Sequence, residues 1–566
     1  VLAVLATCAL GASIVIARLF YVQVLQQEYY RDLALQEHWQ KEIIPARRGA
    51  IRAADGQPLA VSVSYATLYA VPRRITNPAA LANQLAPLLN EPASAITPRL
   101  AGTGDVPVAV KAGLPVDVAT RIRRLRAPGL MLRFEPRREL PEAPLAAQLI
   151  GFVGRDHQGL AGLEASVDNL LAGQPGVVYA ERDTGGEEIA LGRRTYQPAI
   201  DGADVVLTID RFAQRIVERE VEAAMTKHRA ANVTAIVMDP HTGGILAMAS
   251  RPSYDPRAPN LLTQTDPSLF RVPEVVDIYE PGSVFKVITM AAGIDAGVVT
   301  PDTTVYDPGF FSYGGITVHN WDGRARGTIT MRQGLAASNN VALATVSTRL
   351  GEERFYRYLE SFGFGQRTGI ELPGEAPGIL RTPTNGQPWS KGDLATNAFG
   401  QGVAVNSVQL AAAVAAIANG GTLLRPQIIR EIWSHSGQET RQPEAVRRVI
   451  SPEAARTIAD MMVNVVESSP SRPAVIEGYR VAGKTGTAEL PTARGYSRVQ
   501  TIATFVGFVP ADDPAFVVLI KVERPQDSPW GEVVAAPIFK RIAVPLLAHW
   551  RIPPREASQG GGRGRS

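Results

Sequence analysis

Cysteine is nearly absent: Cys8 is the only one in 566 residues, which excludes an intramolecular disulfide and any cysteine-based metal cluster. The seven histidines fall into no HExxH or comparable ligand spacing, so metal chemistry is not expected. A bias of charge is missing as well. With 58 Lys and Arg against 54 Asp and Glu the formal net charge is only +4, so no polyanionic partner such as nucleic acid is indicated. Internal repeats are lacking. What is there is 45% hydrophobic and 20% charged, the composition of a folded chain, with length enough for two or three separate cores.

One long apolar run stands at the start. Residues 1–17, VLAVLATCALGASIVIA, carry no charge, and Arg18 alone interrupts a stretch that continues as LFYVQVL. Residues 1–25 therefore read as a transmembrane anchor, with Arg18 able to snorkel to the headgroups. A cleaved signal peptide and a lipoprotein signal ending at Cys8 are the competing readings. The first lacks a clear small-x-small site, and Thr7 is a poor residue before a lipidated cysteine.

Beyond the anchor, QQEYYRDLALQEHWQKE reads as an amphipathic helix, after which Pro45, Arg47-Arg48-Gly49 and Asp55-Gly56 break the chain into short extended pieces. Residues 26–201 are expected to form a strand-rich spacer or docking module. A boundary is placed near residue 202, where an alternating strand (Val205 to Ile209) meets a helix cap at Asp210 and a long amphipathic helix. VTAIVMD and GILAMAS flank the turn DPHTGG, and TIATFVGFV and AFVVLIKVE flank PADDP, giving two hairpins at opposite ends of one domain. Strands at both ends with helices between predict one sheet closed by distant segments. The tail, residues 551–566, is Gly/Arg/Ser-rich and reads as disordered.

The chemistry is carried by three short motifs. In YEPGSVFK, Ser283 stands three before Lys286 and just after Pro281-Gly282, a helix start. A serine hydroxyl needs a positioned base, and a lysine serves as one when burial lowers its pKa. The helix N-terminus would also offer N–H groups to an oxyanion. Among all serines and lysines of the chain this is the only such pair at that spacing. The second motif is Ser338-Asn339-Asn340, between two helical stretches, where a hydroxyl and an amide two apart can point into one cleft. The third is Lys484-Thr485-Gly486-Thr487, a cation and two hydroxyls with a glycine that admits close backbone approach, suited to a carboxylate.

The order S-x-x-K, S-x-N, K-T-G within one domain is the set described for penicillin-binding proteins and serine β-lactamases. With IPARRGAI, DGQPLA, GLAGLEASVDNLLAGQPG, MDPHTGGILAMASRPSYDP and FGFGQRTGIELPGE, the chain resembles a class B penicillin-binding protein over nearly its whole length. That family is a monofunctional peptidoglycan D,D-transpeptidase, and the motifs lean towards its division-type branch. The resemblance implies a multi-domain α+β chain. It comprises a transmembrane helix, an elongated dimerisation-type pedestal (26–201) and a transpeptidase domain (202–550) with an antiparallel sheet flanked by helices. It further implies that Ser283 attacks the carbonyl between two terminal D-alanines, Lys286 takes the proton and Ser338 relays one to the leaving amine. Asn340 would hold the stem-peptide amide, while Lys484, Thr485 and Thr487 bind the terminal carboxylate and Gly486 lets the strand approach. Ser283 and Thr487 N–H groups would form the oxyanion hole. No cofactor is implied, since acyl transfer conserves the bond energy. The implied partners are stem peptides, β-lactams as inhibitors, and a SEDS-type membrane glycosyltransferase in a division or elongation complex at the bacterial plasma membrane. One departure is Ala53-Ala54, where the family has an Asp-Arg pair. The same residues fit two other readings, a D,D-carboxypeptidase or β-lactamase and a non-catalytic β-lactam sensor or divisome scaffold.

Overall fold

The computed structural model describes residues 1–30, 39–181, 194–258, 261–492 and 495–555. They form two compact units: residues 1–49, 62–137 and 172–203 in the first, residues 50–61, 138–171 and 204–566 in the second. The stretch 26–201 is thus divided between the two units.

In the first unit, Leu2–Phe20 is an α-helix continued by a wider turn over Tyr21–Leu25, with none of its residues buried. Together they make 24 residues, about 36 Å of helix against a hydrocarbon core of about 30 Å. This is an apolar helix long enough to cross a membrane. The amphipathic helix expected over 26–42 ends early. Trp39–Ile44 is a strand, antiparallel to Gly176–Glu181, which in turn pairs with Arg194–Gln197. A ladder to residues far along the chain overrides the local helical period; residues 31–38 lie outside the described residues. A second layer packs Pro78–Leu89, Ala93–Leu100 and Val116–Arg124 on strands Val108–Pro115 and Leu130–Glu139. Its core is aliphatic, with Leu68, Leu85, Ile96, Leu100 and Ile122 buried.

In the second unit, five strands form the central antiparallel sheet: β1 (Asn232–Met238), β2 (Ile245–Arg251), β3 (Ala482–Thr492), β4 (Gly495–Val509) and β5 (Phe516–Glu523). Their order is β2-β1-β5-β4-β3. The hairpins β1-β2 and β4-β5 occur where alternation and turn residues predict them, and Val237 opposite Val518 joins them into one sheet. Helix α1 (Arg211–His228) starts at Asp210, whose side chain accepts from the Ala213 N–H, as expected of a cap. With α6 (Ala536–His549) it covers one face of the sheet, burying Val217, Val221, Phe505, Val518, Phe539 and Ile542. Against β1 and β5 lies α5 (Ser407–Ala418), wholly buried and, beyond Ser407 and Gln409 in its first turn, apolar all round. A helix that is hydrophobic on every side belongs inside a large domain.

The short strand Ile51–Arg52 runs parallel to Asp204–Leu207, and Ala54 donates its N–H to Ile209 O at 2.9 Å. Ala53 and Ala54 are therefore held by backbone bonds in the second unit, where Arg211 reaches Asp55 at 2.7 Å. Of the expected tail, residues 556–566 lie outside the described residues.

Candidate active site

Ser283 lies in a 3-10 turn, Gly282–Phe285, that leads directly into α2 (Lys286–Asp295). Three residues per turn place i and i+3 on the same face, so Ser283 and Lys286 point the same way. Ser283 is half-buried, while Lys286 is fully enclosed. The turn is pressed against β3, the edge strand of the sheet, and glycines make that approach feasible. A Cβ on Gly486 would stand 2.9 Å from Val284 Cγ1 and 3.1 Å from Pro281 O. Gly282, at φ +59°, would meet Thr487 O at 3.2 Å. The glycine of the Lys-Thr-Gly motif is thus fixed by packing of strand on turn.

Ser338 sits between α3 (Met331–Ala336) and α4 (Asn340–Leu350), in the left-handed region at φ +52°. A serine there is uncommon and strained. Its surroundings hold it: Lys286 Nζ donates to Ser338 O at 2.6 Å and to Ser338 Oγ at 3.1 Å. Lys484 Nζ donates to the same Oγ at 3.2 Å and to Thr485 O at 2.9 Å. Both lone pairs of the Ser338 hydroxyl are therefore taken, which leaves its O–H as a donor.

Burial pushes the Lys286 ammonium well below its ordinary range, and the nearby Lys484 and Arg326 charges push the same way. Lys484 is lowered to about 8, again chiefly by burial, with Glu532 acting in the opposite sense. A neutral Lys286 has two N–H donors and one lone pair. Ser338 accepts both donors, so the lone pair is left over, and among the described residues Ser283 Oγ makes no hydrogen bond. Hydrogen bonds of this kind often tighten only when substrate is present.

The Ser-x-Asn turn is anchored from behind by residues that no motif announces. Buried Asp307 accepts from Asn339 Nδ2 at 2.6 Å and from Asn320 Nδ2 at 2.8 Å. Asn320 Oδ1 accepts the Asn340 N–H at 3.1 Å, and Asn340 Nδ2 donates to His319 O at 2.7 Å. Replacing Asp307 by alanine leaves the buried Asn339 amide and the Gly309 N–H without an acceptor, while Asn320 keeps Arg324 O. The expected loss is about 2–4 kcal/mol of stability, read as a lower calorimetric Tm.

These groups line one cleft of about 1060 Å³, which contains Ser283, Ser338, Asn340 and the whole Lys484–Thr487 stretch. Seven of the eight predicted site residues meet there, and the eighth, Lys286, is enclosed outside the lining and reaches it through Ser338. Trp321 and Trp530, edge to face with ring centroids 5.4 Å apart, stand on its lip, and Gly531 N–H donates to Thr487 Oγ1 at 3.1 Å. Sequence reasoning missed both tryptophans, Arg326 and the Asp307 anchor. Glu280, three before the serine, also lines the cleft; its only signal was its place in YEPGSVFK.

An antiparallel sheet with a serine–lysine turn against its edge strand is the architecture of the penicillin-recognising class of acyl-transfer domains. Comparison with known proteins agrees. Residues 233–543 match the penicillin binding protein transpeptidase domain, and residues 43–207 match the penicillin-binding protein dimerisation domain. The chain is 35% identical to stage V sporulation protein D of Bacillus subtilis, over 96% of this chain and 84% of that one. It is 30% identical to the peptidoglycan D,D-transpeptidase FtsI of Escherichia coli, over 99% and 93%. Penicillin binding protein 3 of Mycobacterium tuberculosis, solved with aztreonam, superposes with a TM-score of 0.70 at 28% identity, over 91% and 98%. The chain belongs to the class B penicillin-binding proteins.

Proposed function

We propose that this chain is a peptidoglycan D,D-transpeptidase that works through an acyl-enzyme on Ser283. The observation that carries the reading is the Ser338 hydroxyl accepting from both Lys286 and Lys484. Neutral Lys286 uses its remaining lone pair to take the Ser283 proton as Oγ attacks the carbonyl of the penultimate D-alanine. The proton then passes through Ser338, whose free O–H faces the leaving D-alanine nitrogen. Lys484, protonated, has a third N–H for the terminal carboxylate, with the Thr485 and Thr487 hydroxyls beside it, and Asn340 holds the stem-peptide amide. The N–H groups of Ser283, at the start of a helical turn, and Thr487, on the edge strand, receive the oxyanion. An amine from a neighbouring stem peptide resolves the ester and completes the cross-link. A β-lactam takes the place of the D-Ala-D-Ala end and acylates the same serine.

The apolar helix at 2–25 anchors the chain in the bacterial plasma membrane, with the second unit outside the cytoplasm, where acyl transfer without ATP is suited to the supply of energy. The likeness to FtsI and to the mycobacterial protein supports work in the division septum. A SEDS-type glycosyltransferase then supplies the glycan polymer, and residues 26–201 act as the pedestal. A hydrolase would instead need a carboxylate directed at water; Glu280 is the carboxylate nearest the serine in sequence.

The test is the intact mass of the full chain after incubation with penicillin, beside Ser283→Ala. A stable adduct on the wild type alone is expected. Turnover of penicillin without an adduct replaces this reading with a hydrolase, and adduct on the variant moves the nucleophile elsewhere.

A further inference from the structure

The cleft holds charge of both signs, unevenly engaged. Its cations, Lys484 and Arg326, have protein partners: Lys484 is bound to Ser338 and Thr485, and Arg326 is paired with Asp322 at 2.9 Å. Of its carboxylates, Glu532 accepts from the Ser469 hydroxyl at 2.6 Å and from that of Ser471. Glu489 is exposed, where an ion pair gains little.

Glu280 differs from both. Oε1 takes two protein donors, the Gly402 N–H at 2.9 Å and the Tyr496 hydroxyl at 3.1 Å. Oε2 has no partner among the described residues. The side chain is therefore oriented by one oxygen, partly withdrawn from water, and left with an acceptor in the cleft that holds Ser283. Exposed Arg381 attracts it through space without forming an ion pair.

An oriented carboxylate with a vacant oxygen is a receptor for a cationic donor. On the transpeptidase reading above, on which this inference rests, the terminal carboxylate of the donor peptide goes to Lys484. The cationic reactant is the acceptor, whose amine arrives protonated at neutral pH. We propose that Glu280 is the specificity-determining residue that receives the ammonium group of the acceptor stem peptide and holds it beside the Ser283 ester. Resolution then forms the C–N bond and breaks the C–Oγ bond. Of the two protons the ammonium gives up, one returns to Ser283 Oγ and the other leaves to solvent.

The experiment uses the full chain in detergent and a thioester donor peptide that carries no amine of its own. Thiol release reports acylation, and product mass reports transfer to two acceptors: a synthetic stem peptide with one free amine, and hydroxylamine, which is neutral at the assay pH. Glu280→Gln is expected to lower kcat/KM for the stem-peptide acceptor about tenfold relative to hydroxylamine. Tyr496→Phe, which removes one orienting donor and changes no charge, should shift the same ratio about threefold in the same direction. Glu280→Asp should recover part of it.

An equal loss with both acceptors gives Glu280 a purely structural role and overturns the proposal. Slower hydrolysis of the acyl-enzyme with an unchanged acceptor ratio overturns it too, since the carboxylate then acts on water. If the wild type releases no thiol, the transpeptidase reading itself fails and this inference goes with it.

Discussion

Lys286→Met is expected to slow acylation by penicillin by about 10³-fold, the middle of the range for a general base, while the Tm holds or rises. The two halves of that expectation have one cause. Lys286 is fully buried, its ammonium is disfavoured by desolvation and by the Lys484 and Arg326 charges, and methionine fills a similar volume without those costs. What the variant loses is the lone pair proposed to take the Ser283 proton. Stopped-flow acylation with a fluorescent penicillin, beside calorimetry, reads both. A fall in Tm parallel to the fall in rate would make Lys286 a packing residue and remove it from the mechanism.

The wild-type pH profile follows from the same pair. Lys286 must be neutral to accept a proton, so kcat/KM rises with pH through its depressed pKa. Lys484 must be charged to hold a carboxylate, and its pKa of about 8 sets the falling limb. The two lysines share Ser338, so the limbs belong to the pair. In Lys286→Met the rising limb should vanish. For stability the sign is different: the unfolded chain binds more protons than the folded one between about 8 and the ordinary lysine value, so stability rises with pH across that window.

Gly486→Val is expected to reduce acylation by about 100-fold or more although the lysines, serines and threonines are all retained. The first added carbon would already stand 2.9 Å from Val284 Cγ1 and 3.1 Å from Pro281 O, and valine adds two more. Either β3 retreats or the serine turn does, and the proposed oxyanion site between the Ser283 and Thr487 N–H groups is lost with their spacing. Overpacking of this kind costs about 1–3 kcal/mol, which leaves the folded domain available for measurement. Acylation within threefold of wild type would show that strand and turn are less tightly packed than described.

How much was legible in the sequence follows from how local each feature is. Ser283 with Lys286, Ser338 with Asn340 and Lys484 through Thr487 each lie within a few residues, and the order of the three is itself a signal. The two hairpins and the cap at Asp210 were readable for the same reason. The Asp307 anchor was not, because Asp307 and Asn339 are 32 residues apart and Asp307 stands in no recognisable pattern. Trp39–Ile44 misled because its polar and apolar residues fit a helical period, and only the partner strand at Gly176–Glu181 decides otherwise. Glu280 stands beside the serine in sequence but has no visible purpose until the fold leaves its Oε2 without a partner among the described residues.

The order of the central sheet has a consequence for biogenesis. β5, flanked by β1 on one side and β4 on the other, is the last strand of the sheet to be synthesised. Until residues 516–523 emerge, the β1-β2 hairpin presents an unpaired apolar edge to whatever surrounds the nascent chain. The second unit thus completes its sheet only late in synthesis, and a chain cut short before Phe516 loses the middle of its sheet along with its C-terminus.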